Sequence, residues 1–112
     1  MASKREFCYL YLSCANTVET GEISKALLEQ RLVVCTKQLP VSASYWDNGK
    51  IDQATEVLLI MESAMDLFEA VEAEVAKIHS YETFVLEAVP ITKVSTNAQK
   101  WMNENLKNAK QE

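Results

Sequence analysis

The chain has 112 residues, 48% of them hydrophobic, with a formal net charge of −5; a chain this short supports one core, so one domain over 1–112 is expected, with 1–5 and 108–112 flexible. The acidic balance and the lack of any Lys/Arg run would repel phosphate backbones, which excludes a nucleic-acid partner, and no stretch approaches the about 20 apolar residues that cross a bilayer, which excludes a membrane-spanning helix. Cys8, Cys14 and Cys35 are an odd number with no CxxC spacing, which argues against a disulfide framework or a four-thiolate zinc site and for a reducing, cytoplasmic setting.

Residues 7–12 are aromatic and apolar throughout, Cys8, Leu10 and Leu12 falling on one side and Phe7, Tyr9 and Tyr11 on the other, as in a strand covered on both faces. Lys4 and Arg5 before this run give it a superficial likeness to a secretory leader, but Glu6 borders it and the run is short, so it is read as the first strand. Asn16 with Glu19 three residues on is a capping-box-like start for a first helix, with Ile23, Ala26, Leu27 and Gln30 on one stripe and an end near Arg31 or Leu32. Gly21 costs up to about 1 kcal/mol against Ala, which predicts an irregular first turn.

Residues 32–46 read as a second strand, Pro40 marking a bulge or an edge because it cannot donate to a sheet ladder. Asp47-Asn48-Gly49-Lys50 supplies the Asn-Gly signal of a tight hairpin, which makes the second and third strands antiparallel neighbours. The third strand, about 55–62, carries Val57, Leu59 and Met61 on one face and Leu58 and Ile60 on the other. Ser63, with Asp66 three residues on, is the expected cap of a second helix whose Leu67, Val71, Val75 and Ile78 face the core while Glu69, Glu72 and Lys77 stay in water. A fourth strand is expected over 84–89, closed by Pro90, and then a helix capped by Thr96 or Asn97 that carries Ala98, Trp101, Met102 and Leu106.

The order β-α-β-β-α-β with an added C-terminal helix is the split-βαβ pattern of the ferredoxin-like α+β class, with both main helices on one face of an antiparallel sheet. Two helices cover one face only. Because the first and third strands are apolar on both faces, the second face is expected to pack against other copies of the chain.

Several segments in chain order resemble the CutA family, trimeric proteins named for tolerance of divalent cations. Ser13-Cys14-Ala15 resembles its first strand-to-helix junction, and Gln30-Arg31-Leu32-Val33-Val34-Cys35 is similar to its "ERLAAC" segment. Ala43-Ser44-Tyr45-Trp46-Asp47-Asn48-Gly49-Lys50-Ile51 is similar to "SIYWWEGKI", and Glu56-Val57-Leu58-Leu59-Ile60 to "EVLLI". His79-Ser80-Tyr81-Glu82 resembles "HPYE" and Ala88-Val89-Pro90-Ile91 "ALPI". Ser80 stands where the family has proline, Thr83-Phe84-Val85 where it has "VPE", and Asp47 where a second tryptophan is usual. The resemblance implies a homotrimer whose subunits share sheets, kinship with the trimeric PII signalling proteins, and a copper ligand at the end of the first strand, the position of Cys14.

His79 is the only histidine, beside Tyr81 and Glu82 at the end of the second helix. With Cys14 these residues form a candidate site for a divalent cation, copper or zinc, since imidazole, thiolate and carboxylate are ligands of both. Two ordinary roles compete: His79 as the stabiliser of a helix C-terminus, and Cys14 and Cys35 as small core residues. Tyr45, Trp46, Lys50 and Tyr81 could line a cleft between subunits for a small molecule or an unknown protein partner, as in a PII-like sensor or scaffold, or simply pack at the trimer contact. Glu56, Glu62 and Glu87 read as strand positions facing water. With only Gly21 and Gly49 there is no phosphate-cradling loop, and GxSxG and HExxH are absent, so no enzyme is expected.

Overall fold

A computed structural model describes residues 5–108. Within them β1 (Phe7–Cys14), α1 (Thr17–Glu29), β2 (Cys35–Asp47), β3 (Lys50–Ala64), a single 3-10 turn (Met65–Leu67), α2 (Phe68–Ile78), β4 (Leu86–Pro90) and α3 (Thr96–Asn105) follow one another. The four strands form one antiparallel sheet in the order β2-β3-β1-β4. This is the ferredoxin-like arrangement with an added helix. Of the end segments expected to be flexible, 1–4 and 109–112 lie outside the described residues, whereas the Arg5 guanidinium donates to Asp66 Oδ1 at 2.9 Å and to the Lys107 carbonyl at 2.6 Å.

The two-residue periodicity of β1 decides what the sheet buries. Cys8, Leu10, Leu12 and Cys14 point to the helices and are fully buried, matched across the register by Ser63, Met61, Leu59 and Val57 of β3. Ile23 and Leu27 of α1 and Val71 and Val75 of α2 close over them, also without exposure. Burial of each such side chain stabilises the fold by about 1.5–3 kcal/mol, which is why this layer is apolar without interruption. The opposite face is open in a single chain, and there Tyr9, Leu39 and Val89 are exposed.

α1 begins as its cap predicts, Glu19 N–H donating to Asn16 Oδ1 at 2.9 Å. It runs through Gly21 without interruption, so the expected irregular first turn is not there. It stops at Glu29 because Arg31 takes a positive φ of 59°, and Gln30, expected on the buried stripe, is exposed while Glu19 and Thr20 are buried. β2 begins only at Cys35, Leu32 and Val33 being buried in the connection before it. Pro40 lies on the edge strand and stays in register with Val57, so it marks an edge and not a bulge. The hairpin turns at Asn48 (φ 50°) and Gly49 (φ 78°), successive positive values that favour this dipeptide.

Ser63 does not cap α2. β3 continues to Ala64, and the buried Ser63 hydroxyl donates to the Leu32 carbonyl at 2.6 Å. Leu67 holds the cap position of α2 without a side-chain bond, and α3 likewise begins at Thr96 behind Ser95, so neither Thr96 nor Asn97 is its cap. β4 starts at Leu86 rather than 84, because Phe84 turns inward and stacks on His79, ring centres 5.3 Å apart.

Candidate functional site

The end of β1, the first turn of α1 and the segment leaving α2 meet at one corner of the sheet. β1 delivers Ser13 and Cys14, α1 delivers Glu19, and α2 ends on His79. One ligand atom from each of Cys14, Glu19 and His79 lies within 4.8 Å of the others. Glu82, expected to be a ligand, is exposed and stands outside this group.

Glu19 organises the corner. Its Oε1 accepts the Ala15 N–H at 2.9 Å, and its Oε2 accepts the Ser80 N–H at 2.6 Å. Burial opposes its ionisation, but the hydrogen bonds from Ala15 and from Ser80, joined by nearby His79, outweigh it and hold the carboxyl below its usual range. The side chain of His79 is almost wholly buried. Its Nε2–H donates to the Ser13 carbonyl at 2.9 Å, while Nδ1 accepts the Tyr81 N–H at 3.0 Å, a pattern that assigns the Nε2–H tautomer. The ring is thus bound to the end of β1 and not to the last carbonyls of α2, whose C-cap position His79 holds. Burial, then Glu19 and Glu56, push the Cys14 thiol up to about 12, and its Sγ–H points to the Leu12 carbonyl at 3.9 Å.

In kind, these donors suit zinc or copper. In their present state they are engaged: both imidazole nitrogens and both Glu19 oxygens have hydrogen-bond partners, and Cys14 is held as a thiol. Among the described residues no buried side-chain polar atom lacks a partner. An ion would have to displace the thiol proton and the Tyr81 contact, so the group fits a weakly held ion better than a permanent one.

A cleft of about 570 Å³ opens on the other side of the corner, lined in part by Ser13, Tyr45, Trp46, Glu56 and Tyr81. The Tyr81 hydroxyl donates to Glu56 Oε2 at 2.7 Å, and burial together with Glu56 pushes its phenol up. Of the four residues expected at a cleft, Tyr45, Trp46 and Tyr81 are here and Lys50 is not: it begins β3 opposite Asp47. Glu62 pairs with Lys37 at 3.1 Å and Glu87 is exposed. Cys35 is partly buried, and all three cysteines are free.

Sequence reasoning missed Glu19 as a member of the group. Its signal, an acid three residues after Asn16, was legible as a helix start, but its bond to Ser80 spans 61 residues.

Residues 8–105 match the family described as CutA1 divalent ion tolerance protein. The chain is similar to the divalent-cation tolerance protein CutA of Archaeoglobus fulgidus, 32% identical over 98 residues that cover 88% of this chain and 96% of that protein. It is also similar to human Protein CutA, 27% identical over 95 residues, covering 84% of this chain and 53% of the human protein, about half of its length. A solved structure described as the periplasmic divalent cation tolerance protein CutA from Archaeoglobus fulgidus superposes with a TM-score of 0.88 at 31% identity, covering 90% of this chain and 99% of that one.

Proposed function

The chain belongs to the family of CutA1 divalent ion tolerance proteins, and from that premise we propose that it serves in tolerance of divalent cations, not by catalysis but by taking up copper or zinc weakly at Cys14, Glu19 and His79. The observation that carries this reading is the convergence of a thiol, a carboxylate and an imidazole within 4.8 Å. Bound there, an ion would act by occupancy, and the residues would control how readily it enters. Cys14 must release its proton, and Tyr81 N–H must leave His79 Nδ1. Uptake therefore strengthens as pH rises.

The same reading takes the protein as a cytoplasmic homotrimer. Support for the trimer comes from the open sheet face, where Tyr9, Leu39 and Val89 are apolar and exposed. Support for a reducing compartment comes from the three free cysteines. Among the described residues no helix is long and apolar enough to cross a membrane.

Titration with Cu(II) and Zn(II), comparing wild type with His79→Ala and Cys14→Ser, tests the site. Both variants are expected to bind at least about tenfold more weakly. Equal binding by folded variants would remove the site, and sedimentation of a stable lone protomer would remove the trimer.

A further inference from the structure

The chain itself fills the corner where the ion group lies. Glu19 Oε2 accepts the Ser80 N–H at 2.6 Å, and the next amide, Tyr81 N–H, is bonded to His79 Nδ1 at 3.0 Å. Two successive backbone donors of the segment leaving α2 thus sit on two of the three groups that an ion would use. The Ser80 hydroxyl acts on Glu19 as well: with the Ala15 and Ser80 amides it holds the carboxyl below its usual range. Contacts between copies on the open sheet face leave this arrangement as it is, because Cys14 points to the helices and is fully buried, and the side chains of Glu19 and His79 are 9% and 1% exposed.

A buried carboxylate is costly to leave without partners, and each donor it already has lowers what a further positive partner can add. An N–H or O–H aimed at Glu19 offers partial positive charge where a cation would offer a full one. Ser80 gives two such donors. Its neighbours serve other ends: Ala15 N–H ties the junction of β1 and α1 to Glu19 Oε1, and Tyr81 N–H goes to the imidazole. The backbone also allows the donors of Ser80 to be removed alone. His79 has φ −63° and ψ 137°, the conformation of a residue before proline, and Ser80 has no positive φ. Ser80→Pro therefore suits the chain and deletes the amide and hydroxyl donors together.

We propose that Ser80 is an internal competitor of the ion, its backbone and hydroxyl donors occupying Glu19 in the ion's place, so that this one residue sets how weakly Cys14, Glu19 and His79 hold zinc or copper. The inference rests on the reading of that group as an ion site and concerns the control of its affinity. Ser80 is a positioning residue, acting through Glu19.

Zn(II) binding at pH 7 is measured by calorimetry on wild-type protein, Ser80→Pro, Ser80→Ala and His79→Ala, each at its native oligomeric state. Ser80→Pro is expected to bind at least about tenfold more tightly than wild type, and Ser80→Ala, which keeps the amide, about threefold more tightly. Without the ion Ser80→Pro should melt below wild type, and Zn(II) should raise its melting temperature by more. In the wild-type protein Zn(II) should speed hydrogen exchange of the Ser80 amide, read by NMR, which a merely structural contact would not show. If Ser80→Pro does not fold, Ser80→Ala and the exchange rate decide. The proposal is overturned if folded Ser80→Pro binds no more tightly than wild type while His79→Ala loses binding, a result that leaves the ion group standing, or if Zn(II) leaves the exchange of Ser80 unchanged. Binding by His79→Ala as tight as wild type would remove the ion group, and the role of Ser80 with it.

Discussion

Glu19 Oε2 lies 2.6 Å from the amide nitrogen of Ser80, 61 residues further along the chain. One carboxylate therefore holds two chain segments at once, the junction between β1 and α1 through Ala15 and the exit from α2 through Ser80. The imidazole of His79 ties the same exit to Ser13. Whatever the corner binds, Glu19 sets the positions of its parts.

The carboxyl of Glu19 is held below its usual range in the fold, so its contribution to stability has a definite sign. That contribution is fully present above the unfolded-state value near 4.5 and is lost as pH falls through the lower folded-state value. Glu19→Gln is expected to flatten this part of the acid limb of a stability profile measured by urea unfolding. Glu19→Ala, which leaves two amide donors without their acceptor, should cost about 2–3 kcal/mol at neutral pH. An unchanged acid limb in Glu19→Gln would contradict the assignment.

Ser63 and Asp66 separate two accounts of the entry to α2. With Ser63 buried and bonded to Leu32, Ser63→Ala should cost about 1–2 kcal/mol. Asp66 makes a half-exposed ion pair with Arg5, so Asp66→Ala should cost less than about 1 kcal/mol. Thermal unfolding of both variants checks the order, and the reverse order would restore a capping role to this pair.

The two glycines should respond in opposite directions. A methyl group at either would meet nothing within 4 Å, so only backbone conformation distinguishes them. Gly21 is helical, and Gly21→Ala should raise stability by about 0.5–1 kcal/mol. Gly49 has φ 78°, and Gly49→Ala should lower it by about 1 kcal/mol. Melting temperatures measured side by side decide this.

Burial, reinforced by Asp66, pushes the Cys8 thiol up to about 11, while Cys14 is pushed up to about 12. Both are fully buried, so an aromatic disulfide reagent at about pH 8 is expected to modify no more than one thiol per chain, Cys35, in the native protein and three after denaturation. Rapid modification of Cys14 in the native state would show that the corner opens readily.

Much of the local information in the sequence matches the fold, although α1 is regular through Gly21 and the cap position of α3 falls on Ser95, next to the expected Thr96 or Asn97. Alternation in β1, the Asn16 cap, the Asn48-Gly49 turn and the Leu67, Val71, Val75 stripe each depend on residues a few positions apart. Other misplaced features depend on distant partners. Ser63 had the spacing of a cap but was claimed by Leu32, 31 residues away. Phe84 had the character of a strand residue but was claimed by the ring of His79.

The same division runs through the sites. Residue types alone marked His79, Cys14, Tyr45, Trp46 and Tyr81 as chemically notable, because an imidazole, a thiol and clustered aromatics have few roles. Sequence by itself determined the order of elements and the face each strand buries, since these follow from periods of two and 3.6 residues. Only the tertiary structure decided that Glu19 and not Glu82 joins Cys14 and His79, and that Glu56 rather than Lys50 belongs with the aromatic cleft. The reason is geometric: a carboxylate's role depends on which donors the folded chain brings within about 3 Å, and that proximity is settled by packing between elements far apart in the chain.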